Sequence, residues 1–254
     1  MDFFKTENLS ISFGGVKAVQ GLDIRIEKGE IRGLIGPNGA GKTTVINLIT
    51  RVYHPTEGTI FFQDSDLLKY KPHEISQVGI CRTFQNLEIF KSMSVLDNVM
   101  VGRHIHLGGN MVDSILNLGK AKKEEKKGME KAHEILRSLH LDDYADWPAS
   151  SLPFGKMRLL ELGRALASEP KLLLLDEPGA GMNAEEIKAL DTFIRKMRDQ
   201  FGITIMLVEH VLSLVMEISD RITVLDYGVK IAEGSAREVQ SDPKVVEAYL
   251  GSEE

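Results

Sequence analysis

The sequence predicts an α/β fold that combines a core, an antiparallel β subdomain and an inserted helical subdomain. Three observations predict it. A stretch with period-two alternation lies at residues 22–27, an apolar strand leads through a glycine loop into a helical pattern at residues 30–52, and a uniformly apolar strand follows at residues 172–176. Strict alternation of apolar and polar residues indicates a sheet with one solvent-exposed face, whereas short apolar strands between helices indicate a buried parallel sheet.

The composition is ordinary for a soluble globular protein. The chain has 254 residues, of which 43% are hydrophobic and 27% charged, so it can build a real hydrophobic core. The net charge of −6 argues against nucleic acid as the main partner. We therefore expect no nucleic-acid function.

The cysteine count and the length of the apolar runs indicate the cellular environment of the chain. Cys81 is the single cysteine, which excludes an internal disulfide and indicates a reducing compartment. We expect it to be a small buried side chain. The first ten residues, MDFFKTENLS, lack the apolar core of a signal peptide, and no run approaches the roughly 18 apolar residues that span a bilayer. The chain is not expected to cross a membrane by itself, but it can dock on a protein that does.

The N-terminal part contains a β segment followed by an α/β unit. In LDIRIEKGE three apolar residues alternate with three charged ones, which predicts a strand with one buried face. The apolar stretch EIRGLIG then enters GPNGAGKTT, and VINLITRV reads as a helix. A strand, a glycine loop and a helix in this order begin an α/β unit.

The middle of the chain is predicted to be a helical insert. It spans approximately residues 83–167 and contains the charged run KAKKEEKKGMEKAHEILRSL, which is typical of a solvated helix face. Residues 1–82 and 168–254 then form the catalytic core with its β subdomain. Together the two parts make a single domain over residues 1–254.

The core resumes after the insert. LLLLD is predicted to be a buried parallel strand, and AEEIKALDTFIRKMRDQFG an amphipathic helix that Gly202 ends. ITIMLVEH is a second buried strand. DRITVLDYGVKIAEG is predicted to form a hairpin around the turn at residues 226–228.

The clearest chemical motif is GPNGAGKTT at residues 36–44, which matches the phosphate-binding pattern G-x-x-x-x-G-K-T. Its glycines let successive main-chain N–H groups face inward as an anion nest, and the following helix adds its positive end. Lys42 can reach the β- and γ-phosphates, and Thr43 can hold Mg²⁺. The predicted ATP contacts are Gly36, Pro37, Asn38, Gly39, Ala40, Gly41, Lys42, Thr43 and Thr44.

Two strand ends carry further candidate catalytic residues. Asp176 ends LLLLD and suits a Mg²⁺-bound water, and Glu177 beside it is the candidate general base. His210 follows ITIMLVE, where a neutral imidazole can bond the γ-phosphate. With Lys42, Glu177 and His210 form the predicted catalytic set. Gln85, in CRTFQNLEIF, carries little information by itself.

The motifs together resemble one family. GPNGAGKTT, TFQN, the helix and strand in LLELGRALASEPKLLLLDEP, GAGMN and VEH occur in the order and spacing found in the ATP-binding subunits of ABC transporters, which are P-loop NTPases. The resemblance covers essentially the whole chain. CRTFQNLEIFKSMSVLDNVMVGRH, EPGAGMNAEE, SDRITVLDYGVKIAEG and VEAYLG are most similar to the ATPase subunits of branched-chain amino acid importers.

The resemblance implies an ATPase that works with Mg²⁺ and couples closure of an ATPase dimer to two transmembrane permease subunits. It also implies a second ABC ATPase as partner, an indirect link to a substrate-binding protein, and a position on the cytoplasmic face of the membrane. Whether the dimer contains two copies of this chain or two different ATPases stays open.

The resemblance also gives roles to single residues. Phe13 lies where the family stacks an aromatic ring on adenine. Gln85 corresponds to the glutamine that contacts Mg²⁺ and couples to the membrane subunit. Asp176, Glu177 and His210 take the metal, base and γ-phosphate roles. Asn183 stands where many relatives have an aspartate, in the loop that crosses the dimer interface.

Residues 152–156 occupy the position of the family's signature loop, usually Leu-Ser-Gly-Gly-Gln, which binds the γ-phosphate held by the other subunit. The residues here are Leu152, Pro153, Phe154, Gly155 and Lys156. Pro153 replaces the usual serine. One hydrogen bond to a charged group is worth about 1.5–3 kcal/mol, so we expect a weakened phosphate contact. Lys156 and Arg158 are unfavourable in a first helical turn, and we expect a docked anion to offset them.

Other functions remain as alternatives. The cargo of a transporter with this ATPase could also be urea, a short amide or a lipid-type substrate, which an ATPase sequence does not separate. A soluble ABC ATPase in translation or DNA repair usually joins two cassettes or carries long coiled coils, and neither pattern occurs here. A P-loop kinase or GTPase is not expected to have the Asp-Glu-Pro strand end or the helix after the signature loop.

Overall fold

The computed structural model of the protein describes residues 2–83, 87–106 and 118–250. Its strands, in chain order, are β1 (Phe4–Phe13), β2 (Val16–Leu22), β3 (Arg25–Ile26), β4 (Ile31–Ile35), β5 (Glu57–Phe62), β6 (Ser65–Asp66), β7 (Ile80–Arg82), β8 (Leu172–Asp176), β9 (Thr204–Val208), β10 (Arg221–Asp226) and β11 (Val229–Gly234). The α-helices are α1 (Lys42–Ile49), α2 (Ile75–Val78), α3 (Val95–Gly102), α4 (Leu118–Ser138), α5 (Phe154–Ala167), α6 (Ala184–Phe201), α7 (Leu212–Ile218), α8 (Ala236–Ser241) and α9 (Pro243–Leu250).

The strands form two sheets. The antiparallel sheet has the order β2-β1-β5-β6, with β3 paired to β1. The six-stranded sheet has the order β11-β10-β4-β9-β8-β7 and is parallel except for the β10–β11 hairpin. Because β4, β8 and β9 are parallel neighbours, their carboxyl ends meet at one edge of the sheet. That edge carries the glycine loop after β4, Asp176 at the end of β8 and the chain after Val208.

The six-stranded sheet lies between two hydrophobic cores. Every residue of β8 is buried. Leu173 and Leu175 belong to the core formed with the helices of the insert and with α6 and α7. Leu172 and Leu174 belong to the core formed with the antiparallel sheet and α1. Uniform apolarity in this strand therefore reflects burial on both faces, as the sequence predicted.

Helix ends follow the local capping chemistry. Asn183 caps α6, since its Oδ1 accepts hydrogen bonds from the main-chain N–H groups of Glu185 and Glu186, each at 3.0 Å. Glu186 Oε2 in turn accepts a hydrogen bond from the Asn183 N–H at 2.9 Å, which completes a capping box. The helix ends at Gly202, whose φ of 67° is left-handed. The predicted stop at Gly202 is confirmed.

Three details differ from the sequence-based expectations. The strand predicted in LDIRIEKGE is reduced to Leu22 at the end of β2 and the two residues of β3. Cys81 is only partly buried because β7 is the edge strand of its sheet, and its Sγ lies 2.9 Å from Ser168 Oγ. β7 spans three residues, too few for a periodic pattern in the sequence. Within the described ranges, no helix is both long enough and apolar enough to cross a bilayer.

Candidate active site

The glycine loop after β4 adopts a conformation that its glycines alone allow. Gly41 has a φ of 102° and precedes the first residue of α1. A side chain at Gly41 would collide with the main-chain oxygen of Ala18 on β2, and one at Gly36 would collide with that of Leu225 on β10. The loop is therefore held between one strand of each sheet, with no room for Cβ atoms at these points.

Lys42 is buried at the start of α1 and faces the loop. Its Nζ donates to the main-chain oxygens of Gly36 at 2.7 Å and of Pro37 at 2.9 Å. Burial lowers the pKa of Lys42, whereas the nearby carboxylates of Glu177 and Asp176 raise it. The structure thus places Lys42 close to both candidate acidic residues, Glu177 and Asp176. The next residue, Thr43, is exposed on the first turn of α1.

Asp176 is held by an arginine that sequence reasoning missed. Its side chain is 3% exposed and its Oδ2 accepts a hydrogen bond from Arg82 Nη2 at 2.7 Å. Arg82 Nη1 also donates to Asn47 Oδ1 on α1, at 2.6 Å. Arg82 therefore links the end of β8 to the helix that follows the glycine loop. No local sequence pattern indicates this role of Arg82, because Arg82, Asp176 and Asn47 are far apart in the chain.

Glu177 and His210 are in direct contact. His210 Nε2 lies 2.7 Å from Glu177 Oε1, a distance that fits an Nε2–H donating to the carboxylate. The Glu177 side chain is 13% exposed and that of His210 is 45% exposed. Glu177 has a left-handed φ of 51°, and its N–H donates to Val208 O at 2.8 Å. Such backbone strain is typical of functional sites.

One cleft brings most of the predicted residues together. Its volume is 350 Å³, and it is lined by Ala18, Asn38, Gly39, Ala40, Gly41, Lys42, Thr43, Thr44, Glu177 and His210. Asp176 lies behind it, buried and electrostatically close to Lys42. The arrangement places an anion nest, a lysine, a candidate base and an imidazole around a single space. This geometry suits transfer of a phosphoryl group to water.

Two predicted contacts lie outside the cleft or outside the described residues. Phe13 is 44% exposed and packs edge-on against Tyr53 with ring centroids 5.0 Å apart. It is not among the residues that line the cleft, but it lies on the β1–β2 hairpin that also carries Ala18. The prediction for Gln85 falls outside the residues that the structure describes.

The signature loop also lies away from the cleft. Pro153 precedes α5 without a side-chain hydrogen bond, Leu152 is buried, and the Phe154 ring packs against Gly181. Gly155 is covered by the carboxylate of Glu186, which a Cβ at this position would displace. None of residues 152–156 belongs to the described lining of the cleft. A phosphate contact by this loop would therefore have to involve nucleotide bound to another chain.

The two cations near the start of α5 have partners within the chain. Arg158 is buried and its Nη1 bonds Glu161 Oε2 at 3.1 Å. Lys156 Nζ lies over the ring of Tyr144, 3.7 Å from its centroid. An i,i+3 ion pair and a cation–π contact therefore offset these cations within the chain, and docking of an anion at this helix end stays a prediction.

Tyr249 on α9 was also missed by sequence reasoning. Its hydroxyl oxygen takes part in a main-chain hydrogen bond with Gly36, the first residue of the glycine loop. Lys244, Glu247 and Ala248 of the same helix line a second cavity against the loop. The C-terminal helix therefore supports the phosphate-binding motif from outside.

Burial of Tyr249 raises its pKa to about 12, which leads to a testable pH dependence. An unfolded tyrosine has a pKa of about 10. The contribution of Tyr249 to the free energy of unfolding is therefore complete below pH 10 and is lost as the pH rises from 10 to 12. Tyr249→Phe should remove this loss. Urea unfolding of the wild type and of Tyr249→Phe at several pH values measures the free energy of unfolding. If that free energy depended on pH in the same way in both proteins, the prediction would be contradicted.

The described residues hold no cluster of three or more histidine, cysteine, aspartate or glutamate side chains that could bind a metal ion by itself. Asp176 and Thr43 do offer a carboxylate and a hydroxyl oxygen close to the phosphate-binding loop. Mg²⁺ is commonly held by one or two such oxygens together with substrate phosphates. The donor set therefore fits Mg²⁺ bound with a nucleotide.

Comparison with known proteins gives two family matches. Residues 19–180 match the model of the ABC transporter family. Residues 229–254 match a model described as branched-chain amino acid ATP-binding cassette transporter. The second match includes the β11 strand and the α9 helix that contacts the glycine loop.

Individual relatives align over nearly their whole length. The high-affinity branched-chain amino acid transport ATP-binding protein BraF of Pseudomonas aeruginosa is 37% identical, over 97% of each chain. The corresponding protein LivG of Escherichia coli is 39% identical, over 96% of this chain and 95% of LivG. A crystal structure of the ADP conformation of MJ1267, an ATP-binding cassette of an ABC transporter, is 38% identical with a TM-score of 0.86 and covers 99% of both chains.

Proposed function

This chain belongs to the ABC transporter family of ATP-binding proteins, and we propose that it is the ATP-hydrolysing subunit of an importer for branched-chain amino acids. The cleft that joins the phosphate loop to Glu177 and His210 carries the ATPase part of this proposal. The C-terminal family match and the names of the relatives support the cargo.

The proposed chemistry uses the chain's own groups in sequence. The main-chain N–H groups of residues 36–44 and the ammonium of Lys42 hold the phosphates. Lys42 exchanges the carbonyl oxygens of Gly36 and Pro37 for phosphate oxygens. Glu177 accepts a proton from the attacking water, and His210 turns from the Glu177 carboxylate to the γ-phosphate. That turn frees Glu177 to act as the base.

Mg²⁺ would be held by Thr43 and Asp176, with Gln85 as a third ligand, and would neutralise charge on the phosphates. Within the chain, Asp176 is oriented by Arg82, which places the carboxylate before nucleotide binds. Phe13, together with the β1–β2 hairpin, is proposed to cover the adenine.

The active unit is proposed to be a dimer in which the signature loop and Asn183 of one subunit contact the nucleotide of the other. The separation of residues 152–156 from the cleft within one chain supports this arrangement. The second subunit is either another copy or a related ATPase. In both cases a closed twofold arrangement would bury two nucleotides.

Restoring a serine at position 153 should strengthen the ATP-driven dimer. Pro153→Ser supplies a hydroxyl that can bond the γ-phosphate of the opposite subunit, and the dimer Kd should fall roughly ten- to hundredfold. Sedimentation in the presence of ATP measures the dimer Kd of the Glu177→Gln variant and of the double variant that also carries Pro153→Ser. Ser213→Thr, on the exposed face of α7, is the matched control. An unchanged Kd would mean that the hydroxyl does not reach a phosphate.

Two membrane permease subunits are the proposed partners, and a substrate-binding protein is an indirect one. A groove of 730 Å³ lies between the β7 edge and helices α3 and α5 and is mostly apolar, with Glu88, Glu161 and Arg164 in its lining. It includes Thr83 and Glu88, which flank residues 84–86. Docking here would place the chain on the cytoplasmic face of the membrane. We further propose that residues 83–167 form a helical subdomain within the single domain, and that residues 1–82 and 168–254 form its catalytic core.

The cargo is tested by transport. Cells that lack this chain are assayed for uptake of labelled leucine and labelled urea, after complementation with the wild type or with Glu177→Gln. Rescue of leucine uptake by the wild type alone is the expected result. Rescue of urea uptake instead would replace the proposed cargo, and rescue by both proteins would contradict the ATPase role.

A further inference from the structure

Glu209 is a buried carboxylate that the chemistry above does not use. It is the first residue after β9 and is 2% exposed. Its Oε1 accepts a hydrogen bond from the Gly179 N–H. Its Oε2 accepts from the N–H groups of His210 at 2.9 Å and Val211 at 3.2 Å. The carboxylate is therefore satisfied by main-chain donors from two different segments.

The two segments are the ones that carry the proposed reaction. Gly179 lies two residues after Glu177, in the segment that leads to Asn183. His210 and Val211 follow Glu209 in the segment between β9 and α7. The side chains of Glu177 and His210 meet at 2.7 Å. Glu209 accepts hydrogen bonds from the N–H of His210 and from that of Gly179, two residues after Glu177.

Packing leaves little freedom at this junction. A Cβ at Gly179 would lie 2.8 Å from Glu209 Oε1 and 2.7 Å from Ile187 Cδ1 on α6. The carboxylate thus reaches the Gly179 amide because this position has no side chain. Burial raises the pKa of Glu209, and the three main-chain hydrogen bonds lower it.

We propose that Glu209 is a positioning residue that fixes His210 and the segment after Glu177 in one relative placement. The inference rests on the proposed ATPase function of the same cleft. Glu209 touches neither substrate nor the reacting atoms. It acts through the main chain, so that movement of His210 is transmitted to residues 178–183, which end at the proposed interface residue Asn183.

The Glu209→Gln variant tests this with almost no change of shape. A carboxamide has one acceptor oxygen and one donor group, so in either orientation at least one segment faces a donor in place of an acceptor. We expect kcat for ATP to fall roughly ten- to hundredfold, the range for loss of a hydrogen bond to a charged group. The KM for ATP should stay within about twofold, because the phosphate loop is untouched.

Glu30→Gln is the matched control. Glu30 is also a buried carboxylate that accepts a main-chain N–H, from Glu27 at 2.7 Å, but it lies at the opposite end of β4 from the phosphate loop. The Glu30→Gln variant should have a lower Tm than the wild type and an unchanged kcat. Equal effects of the two variants on kcat would overturn the positioning role.

Gly179→Ala provides a second test if Glu209→Gln does not fold. The added methyl would push residue 179 away from Glu209, so kcat should fall in the same way. In the double variant the two losses should not add, because both remove one contact. Fully additive losses, or wild-type kcat in a folded single variant, would overturn the inference.

A readout that needs no turnover separates this inference from the proposed function. The imidazole nitrogen chemical shifts of His210 report its hydrogen bond to Glu177. They should change in Glu209→Gln and not in Glu30→Gln. Unchanged shifts would overturn the positioning role, whereas a wild-type protein without ATPase activity would overturn the proposed function alone.

Discussion

Replacing Glu177 with glutamine is expected to lower kcat for ATP hydrolysis by about 10²–10⁴-fold, the usual contribution of a general base. Glutamine keeps the shape of the side chain but cannot accept a proton from water. Nucleotide binding should persist, because Lys42 and the loop at residues 36–44 are unchanged. Steady-state ATPase assays and ATP titrations of the purified variant measure the two effects separately.

The same variant should also accumulate the nucleotide-bound dimer. Without hydrolysis the closed state is not released, so size exclusion in ATP should show a shift from monomer to dimer if two copies of this chain can pair. Glu217→Gln, on the exposed face of α7, is the matched control and should behave as the wild type in both assays. Undiminished turnover in Glu177→Gln would assign the base to another residue.

Replacing Arg82 with alanine is expected to have the largest effect on stability. In its pair with Asp176, the Asp176 side chain is buried and 3% exposed, and the Arg82 side chain is partly buried and 12% exposed. Removal of one partner from a buried ion pair leaves an uncompensated charge and typically costs about 3–5 kcal/mol of folding free energy. For a chain of this length each kcal/mol lowers Tm by roughly 2–4 °C. Chemical unfolding and thermal scans measure both.

Mg²⁺ and ATP should partly rescue the Arg82→Ala variant. The proposed metal would supply positive charge beside Asp176, so Mg²⁺ with ATP should raise Tm more in the variant than in the wild type. Arg195→Ala is the matched control, because its pair with Asp191 lies at the surface and is worth about 0–1 kcal/mol. If Arg82→Ala were as stable as Arg195→Ala, the Asp176 carboxylate would not depend on Arg82.

Short sequence patterns determine part of this fold and of its candidate site. The phosphate loop, the buried strand that ends at Asp176 and the helix that Gly202 stops were predictable from short patterns. In each case the chemistry is local, because glycine positions, apolar runs and capping residues fix the backbone within a few residues.

The residues that hold the site together were not predictable in this way. Arg82 and Asp176 are 94 residues apart in the chain, and Gly179 and Glu209 are 30 apart. Single arginines and glutamates occur throughout the sequence, so no spacing distinguishes these two. Their partners are defined only when β7, β8 and β9 lie side by side.

By itself, the sequence determined which groups do the proposed chemistry: the loop at residues 36–44 and the side chains of Lys42, Asp176, Glu177 and His210. Only the tertiary structure decided how these groups are held, through Arg82, Glu209 and Tyr249, and that the cations at the start of α5 are already paired. The physical reason is that a backbone nest depends on neighbouring residues. A buried charge, in contrast, must find its counter-charge or donors wherever the folded chain brings them.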